Sequence, residues 1–236
     1  PIAEQIICAV DLGINTDAVC SIMKADGTIL ARKFIDFTSD KDRMIHAMNR
    51  TRRKQSKYGP KSARSLWAYV KRLNEDRAKK ISAAIVEFAS QHSVDAIVME
   101  HLDFKGCKKR GSKAQRLSMW NHGIIREKVE QKAHLLGIRI ATICAWKTSA
   151  LAFDGSGSVT RDDNNHALAT FTTGKQYNCD LSASYNIGAR YFIRELLKSL
   201  PATEESRVKA KVPDAGRRTS CTLSTLRALV KELSAA

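Results

Sequence analysis

Three acidic residues of this 236-residue chain stand where short apolar runs stop or start. Asp11 ends the run Gln5-Ile6-Ile7-Cys8-Ala9-Val10, and Glu100 follows Val94-Asp95-Ala96-Ile97-Val98-Met99. Asp180 opens a segment in which Leu181, Tyr185, Gly188, Phe192 and Leu196 recur at helical spacing. If the two runs are neighbouring strands and the helix crosses them, the three carboxylates meet at one sheet edge. Carboxylates crowded in low dielectric repel one another, and divalent cations relieve that repulsion. An all-oxygen donor set suits Mg2+ or Mn2+. Two such ions roughly 4 Å apart would activate a water and stabilise the leaving oxygen of a phosphodiester. Asp11, Glu100 and Asp180 are therefore the expected catalytic residues and metal ligands.

Other residues carry weaker signals. A single acid at a strand end is commonly a solvated loop residue, so the weight lies on three of them in order. Asp103 is the reserve ligand, three residues past Glu100, while Asp17 and Asp154 are less well placed. Gly155-Ser156-Gly157 lacks the Lys-Ser/Thr and the following helix of a phosphate-binding loop and reads as a turn. Trp67, Tyr69, Trp120 and Trp146 offer faces for base stacking, yet helical spacing assigns most of them to packing. The six histidines show no metal-ligand spacing, and His101 reads as a structural neighbour of Glu100. The six cysteines form no C-x-x-C pair and read as small core residues in a reducing compartment.

The elements that must position the acids follow from the apolar pattern. Residues 5–11, 17–23 and 28–37 read as three meandering strands, the last two joined by a tight turn at Asp26-Gly27. A polar stretch from Lys41 to about Gln91 reads as two helices broken at Tyr58-Gly59-Pro60. A fourth strand covers 94–99, a helix spans 115–136 and stops at Gly137, and a fifth strand covers 138–144. Residues 145–178 read as irregular, the core helix begins near Asp180, 201–220 is a polar linker, and a short helix covers about 223–233. The order β-β-β-α-α-β-α-β-α resembles the RNase H-like α/β fold, a mixed five-stranded sheet with flanking helices.

Charge points to the partner. The formal net charge is +16. Residues 41–80 hold 14 Lys/Arg against 3 Asp/Glu, and residues 105–116 hold six Lys/Arg and no acid. Such local excess implies a polyanion, and nucleic acid fits better than a membrane surface because no strong apolar anchor accompanies it. The expected contacts are Arg50, Arg52, Arg53, Lys54, Lys57, Lys61 and Arg64, with Lys105, Lys108, Lys109 and Arg110 after the fourth strand. No apolar run approaches the roughly 20 residues of a membrane span.

The motifs resemble a known family. Ala9-Val10-Asp11-Leu12-Gly13-Ile14-Asn15 is similar to the first RuvC motif of TnpB-type and type V CRISPR RNA-guided nucleases. Ile97-Val98-Met99-Glu100-His101-Leu102 resembles the second, and Cys179-Asp180-Leu181-Ser182-Ala183-Ser184-Tyr185-Asn186-Ile187 the third. Trp146-Lys147-Thr148-Ser149 sits where the family carries a Thr-Ser after its fifth strand. The resemblance covers roughly residues 5–195. It implies a Mg2+-dependent endodeoxyribonuclease with Asp11, Glu100 and Asp180 as ligands, DNA as substrate, a guide RNA as partner and a cytoplasmic setting in a prokaryote, phage or mobile element. Guide pairing would read sequence while the protein reads backbone and shape. Many relatives carry two cysteine pairs for zinc before the third motif. Here that region has only Cys144 and Cys179 at its edges, so no structural zinc is expected.

The expected organisation is a nuclease domain over 1–200 with its basic helical segment at 41–92, then a linker and C-terminal helix over 201–236. The chain begins at Pro1 without Met and lacks the family's N-terminal half. It is expected as an isolated domain, a fragment, or a subunit that needs a partner. Two alternatives stay open: a nucleic-acid-binding module without cleavage, with steep salt dependence and no metal requirement, and a guide-independent resolvase or RNase H.

Overall fold

A computed structural model describes residues 1–101, 120–165, 167–217 and 219–235. The first three strands are β1 (Ile6–Asp11), β2 (Ala18–Lys24) and β3 (Ile29–Ile35), followed by helices α1 (Thr38–Tyr58) and α2 (Arg64–Gln91). Strand β4 (Ala96–His101), helix α3 (His122–Leu135) and strand β5 (Arg139–Cys144) come next. The sheet order is β3-β2-β1-β4-β5. Strand β2 runs antiparallel to both β1 and β3, and β4 runs parallel to both β1 and β5. This is the mixed five-stranded sheet expected from the element order.

Local chemistry explains the breaks. The β2–β3 turn closes with Gly27 at φ +80° and with Asp26 Oδ1 accepting the Thr28 N–H at 2.8 Å. Between α1 and α2, Gly59 takes φ +84° and Pro60 opens a single 3-10 turn. Gly137, at φ +71°, follows α3 as its end signal required.

Side chains alternate across the central strands, so each covers both faces. Cys8, Val10, Cys20, Ile22, Ile97 and Met99 face a layer built by α2 and α3. Ile7, Ala9, Met23, Ala96 and Val98 face the core helix α4 (Cys179–Ser199). The expected face of α4, with Leu181, Tyr185 and Phe192, is buried, but so is every residue from Leu181 to Ile193. Its outer side is covered by the C-terminal helix, α6 (Leu223–Ser234), whose Leu223, Leu226 and Leu229 join the same core.

Two expectations need correction. Residues 145–178 are not irregular throughout: β6 (Thr160–Arg161), β7 (Leu168–Thr170) and β8 (Gln176–Asn178) form an antiparallel sheet in that order. Ala152, Ala169, Phe171 and Cys179 give that sheet its own apolar cluster. The stretch 201–220, read as a linker, contains helix α5 (Ala202–Lys211), with Glu204 and Glu205 in its first turn and Lys209 and Lys211 in its last. Charges in those positions complement the helix dipole. The part of the expected 115–136 helix before residue 120 lies outside the described residues. No helix among the described residues is long and apolar enough to cross a membrane.

Candidate active site

Parallel pairing of β1 with β4 sets Val10 opposite Met99. The next residues, Asp11 and Glu100, therefore end adjacent strands side by side. Alternation puts Asp11 with Ile7 and Ala9, and Glu100 with Ala96 and Val98, so both belong to the sheet face that α4 covers. Asp180 is in the first turn of α4. Asn178 caps that helix, its side-chain oxygen accepting the Leu181 N–H at 2.8 Å. The strand ends and the helix start thus converge from opposite sides, and Gly188 allows the close approach. A Cβ there would lie 2.9 Å from Met23 Cε and 3.2 Å from Ala9 Cβ.

The electrostatics report the crowding. Asp11 is buried, at 8% exposure. Burial, and after it the charges of Glu100 and Asp180, push its carboxyl well above the usual carboxylate range, while Arg161 opposes them. Burial raises Glu100, against the Thr148 hydroxyl and the positive charge of Arg190. Burial raises Asp180 too, against Arg161 and a hydrogen bond from Thr16. Asp11 is the most buried of the three. Thr148, itself buried, donates its hydroxyl to Glu100.

The donor set fits a hard divalent cation in kind: three carboxylates, oxygen only, with excess negative charge in a partly buried setting. The side chains are not closed around a common point. Among the described residues, no three His, Cys, Asp or Glu form a ready metal-ligand group. Glu100 is instead turned to Thr148 and Asp180 to Thr16.

The reserve acids have other work. Asp17 is buried in an ion pair with Arg77 of α2 and lies 3.3 Å from Lys41 of α1, while accepting the Phe37 N–H at 2.9 Å. Asp154 closes a turn by accepting the Ser156 N–H at 3.0 Å. Asp103, Lys105, Lys108, Lys109 and Arg110 lie outside the described residues.

Arg50, Arg52, Arg53, Lys54, Lys57, Lys61 and Arg64 are all exposed around the turn that joins α1 to α2. The α1–α2 pair extends past the sheet. Ala78, Ile81, Ile85 and Phe88 of α2 pack on the sheet, whereas Val70 packs with Met44 and Ala47 of α1 in a separate small cluster. Trp67 and Tyr69 pack against that cluster and Trp120 against the sheet layer, while Trp146 is 61% exposed.

Sequence reasoning missed Arg161 and Arg190. Both are cations beside the acids, Arg161 standing 150 residues from Asp11 and Arg190 90 residues from Glu100, and neither spacing nor periodicity marks them. Thr148 had a signal, the Trp-Lys-Thr-Ser stretch after the fifth strand.

The sheet order, the helix crossing it and the three acids at one edge define an RNase H-like α/β architecture. Solved structures share it, and the resemblance read in the three motifs to the RuvC domain of TnpB-type and type V CRISPR nucleases stands. The chain matches Cas12f1, solved as a Cas12f1–sgRNA–target DNA complex, with TM-score 0.58 and 19% identity over 77% of this chain and 49% of that one. It matches a CRISPR-Cas12f ternary complex with TM-score 0.53 and 16% identity, over 77% and 38% of the two chains. It matches the AacC2c1–sgRNA binary complex with TM-score 0.58 and 10% identity, over 80% and 39%. At these identities the likeness is one of fold, and the chain spans less than half the length of each. No family model and no curated protein matches it.

Proposed function

We propose that this chain is the nuclease domain of an RNA-guided DNA endonuclease of the TnpB or type V CRISPR kind, dependent on Mg2+ or Mn2+. The observation that carries the reading is the convergence of Asp11, Glu100 and Asp180 on one edge of an RNase H-like sheet, with all three carboxyls raised. Those three residues would hold the metal. When bound, a pair of divalent ions would supply activation of a water and charge stabilisation at a phosphodiester. The chain's own residues prepare the place. Thr148 orients Glu100, Thr16 orients Asp180, and Arg161 offsets part of the negative charge that would otherwise repel a phosphate backbone. The exposed cations of the α1–α2 turn supply backbone contacts to DNA or to a guide–target duplex. The complexes in which the matched structures were solved agree with nucleic-acid partners.

The test is cleavage of labelled single-stranded DNA with Mg2+, with and without chelator, by the wild-type chain and by Asp11→Ala and Glu100→Ala. Metal-dependent cutting lost in both variants supports the reading. Cutting that survives either substitution refutes the assigned ligands. One observation favours a second reading, binding without cleavage: Glu100 and Asp180 are engaged by the hydroxyls of Thr148 and Thr16. That reading expects salt-sensitive, metal-independent binding and intact DNA.

A further inference from the structure

Arg190 lies in the fourth turn of α4 and is 5% exposed. A guanidinium this deeply buried must satisfy its donors. Nη1 donates to the carbonyls of Cys144 at 2.9 Å and Trp146 at 2.7 Å. Nε donates to Cys221 O at 3.2 Å and Nη2 to Thr219 O at 3.1 Å. One side chain thus holds the end of β5, the loop that follows it, and the segment leading into α6.

That loop carries Thr148, whose hydroxyl donates to Glu100 and lies 3.0 Å from the Ala145 carbonyl. A second α4 residue holds the same loop, since Asn186 Nδ2 donates to Thr148 O at 3.0 Å and Leu151 O at 2.9 Å. The positive charge of Arg190 also acts on Glu100. All four acceptors of Arg190 are main-chain carbonyls, which are neutral, so none cancels its charge.

We propose that Arg190 is a positioning residue for Glu100. It fixes the loop that presents the Thr148 hydroxyl to this carboxylate. The planar fork suits this role and an ammonium does not, because a lysine cannot reach carbonyls on three segments at once. The proposal rests on the nuclease reading above and adds to it a residue outside the acid trio.

The experiment uses the whole chain. Mn2+ binding is measured by titration, cleavage of labelled single-stranded DNA by kcat and KM, and folding by urea denaturation in chelator. Arg190→Lys is expected to weaken Mn2+ binding at least ten-fold and to lower kcat at least ten-fold, with KM within two-fold. A folded Arg190→Lys protein that keeps Mn2+ affinity and kcat within two-fold of wild type overturns the proposal. The effect of Arg190→Gln on the folding equilibrium is compared in wild-type and Glu100→Gln backgrounds. A five-fold or greater difference is expected, and equal effects overturn the coupling of Arg190 to Glu100. Thr148→Val, nearly isosteric, is run through the same cycle in case Arg190→Gln does not fold, and an equal cost in both backgrounds overturns the loop's role. A wild-type chain that binds no Mn2+ refutes the nuclease reading instead. The stability cycles need neither metal nor cleavage and still decide Arg190.

Discussion

Replacing Asp11 by Asn should stabilise the metal-free protein, although it removes a residue at the centre of the site. Asp11 and Glu100 end paired strands, so their carboxylates are separated by about one strand spacing, roughly 5 Å. Two like charges at that distance cost about 3 kcal/mol at an effective dielectric of 20. Asp180 adds to this and Arg161 subtracts from it. The expected gain for Asp11→Asn is therefore about 1–3 kcal/mol, measured by urea denaturation at pH 8 in chelator. The sign with pH follows from the raised carboxyl. A folded-state pKa above the unfolded value means that this group stabilises the fold most when protonated. That stability is full below the unfolded value of about 3.9 and is lost as pH rises through the higher folded value. The advantage of Asp11→Asn should thus vanish near pH 4 and grow towards neutral pH. Saturating Mn2+ should narrow the difference, because it stabilises a wild type whose carboxylates hold it. If Asp11→Asn is no more stable than wild type at pH 8 in chelator, the three acids are not mutually repelling, and the reasoning fails.

Other expectations follow from packing and charge. Asp17→Ala strips the buried Arg77 of its carboxylate and should cost about 3–5 kcal/mol in urea denaturation; a loss under 1 kcal/mol would mean that Lys41 and Arg77 had found other partners. Gly188→Ala gains about 1 kcal/mol of helix propensity but forces a methyl against Ala9 and Met23, at a cost of about 1–3 kcal/mol, so a net loss is expected and a stabilised variant would contradict the contact. The triple change Arg53→Ala, Lys54→Ala and Lys57→Ala should weaken binding of unrelated DNA sequences alike and reduce the salt slope for single strands by about 2; an unchanged slope would remove these residues from the interface.

Much of this arrangement could be read from the chain before its coordinates. The Asp26-Gly27 turn, the Tyr58-Gly59-Pro60 break and Gly137 act locally, so residue type alone marks them. The convergence of Asp11 with Glu100 was legible because both end apolar runs long enough to be central strands. Strands β6 to β8 were not legible because they are two or three residues long, too short to show alternation. Helix α5 buries only Val208 and so lacks an apolar period; its charges were the available signal. Arg161 and Arg190 could not be found at all. In a chain carrying 40 Lys and Arg, a cation drawn to an acid by tertiary structure looks like any surface charge.

The enclosed position of α4 has a consequence for the order in which the chain is made. Its tip carries Asp180, while its outer flank is sealed by α6, made some forty residues later. Asp11 leaves the ribosome early, and its strand then waits about ninety residues for its parallel neighbour β4. Because α4 is buried on every side, its enclosure is complete only after Leu223, Leu226 and Leu229 have been synthesised to cover its outer flank. The helix that carries Asp180 at its tip is therefore fully enclosed only when α6 closes over its back.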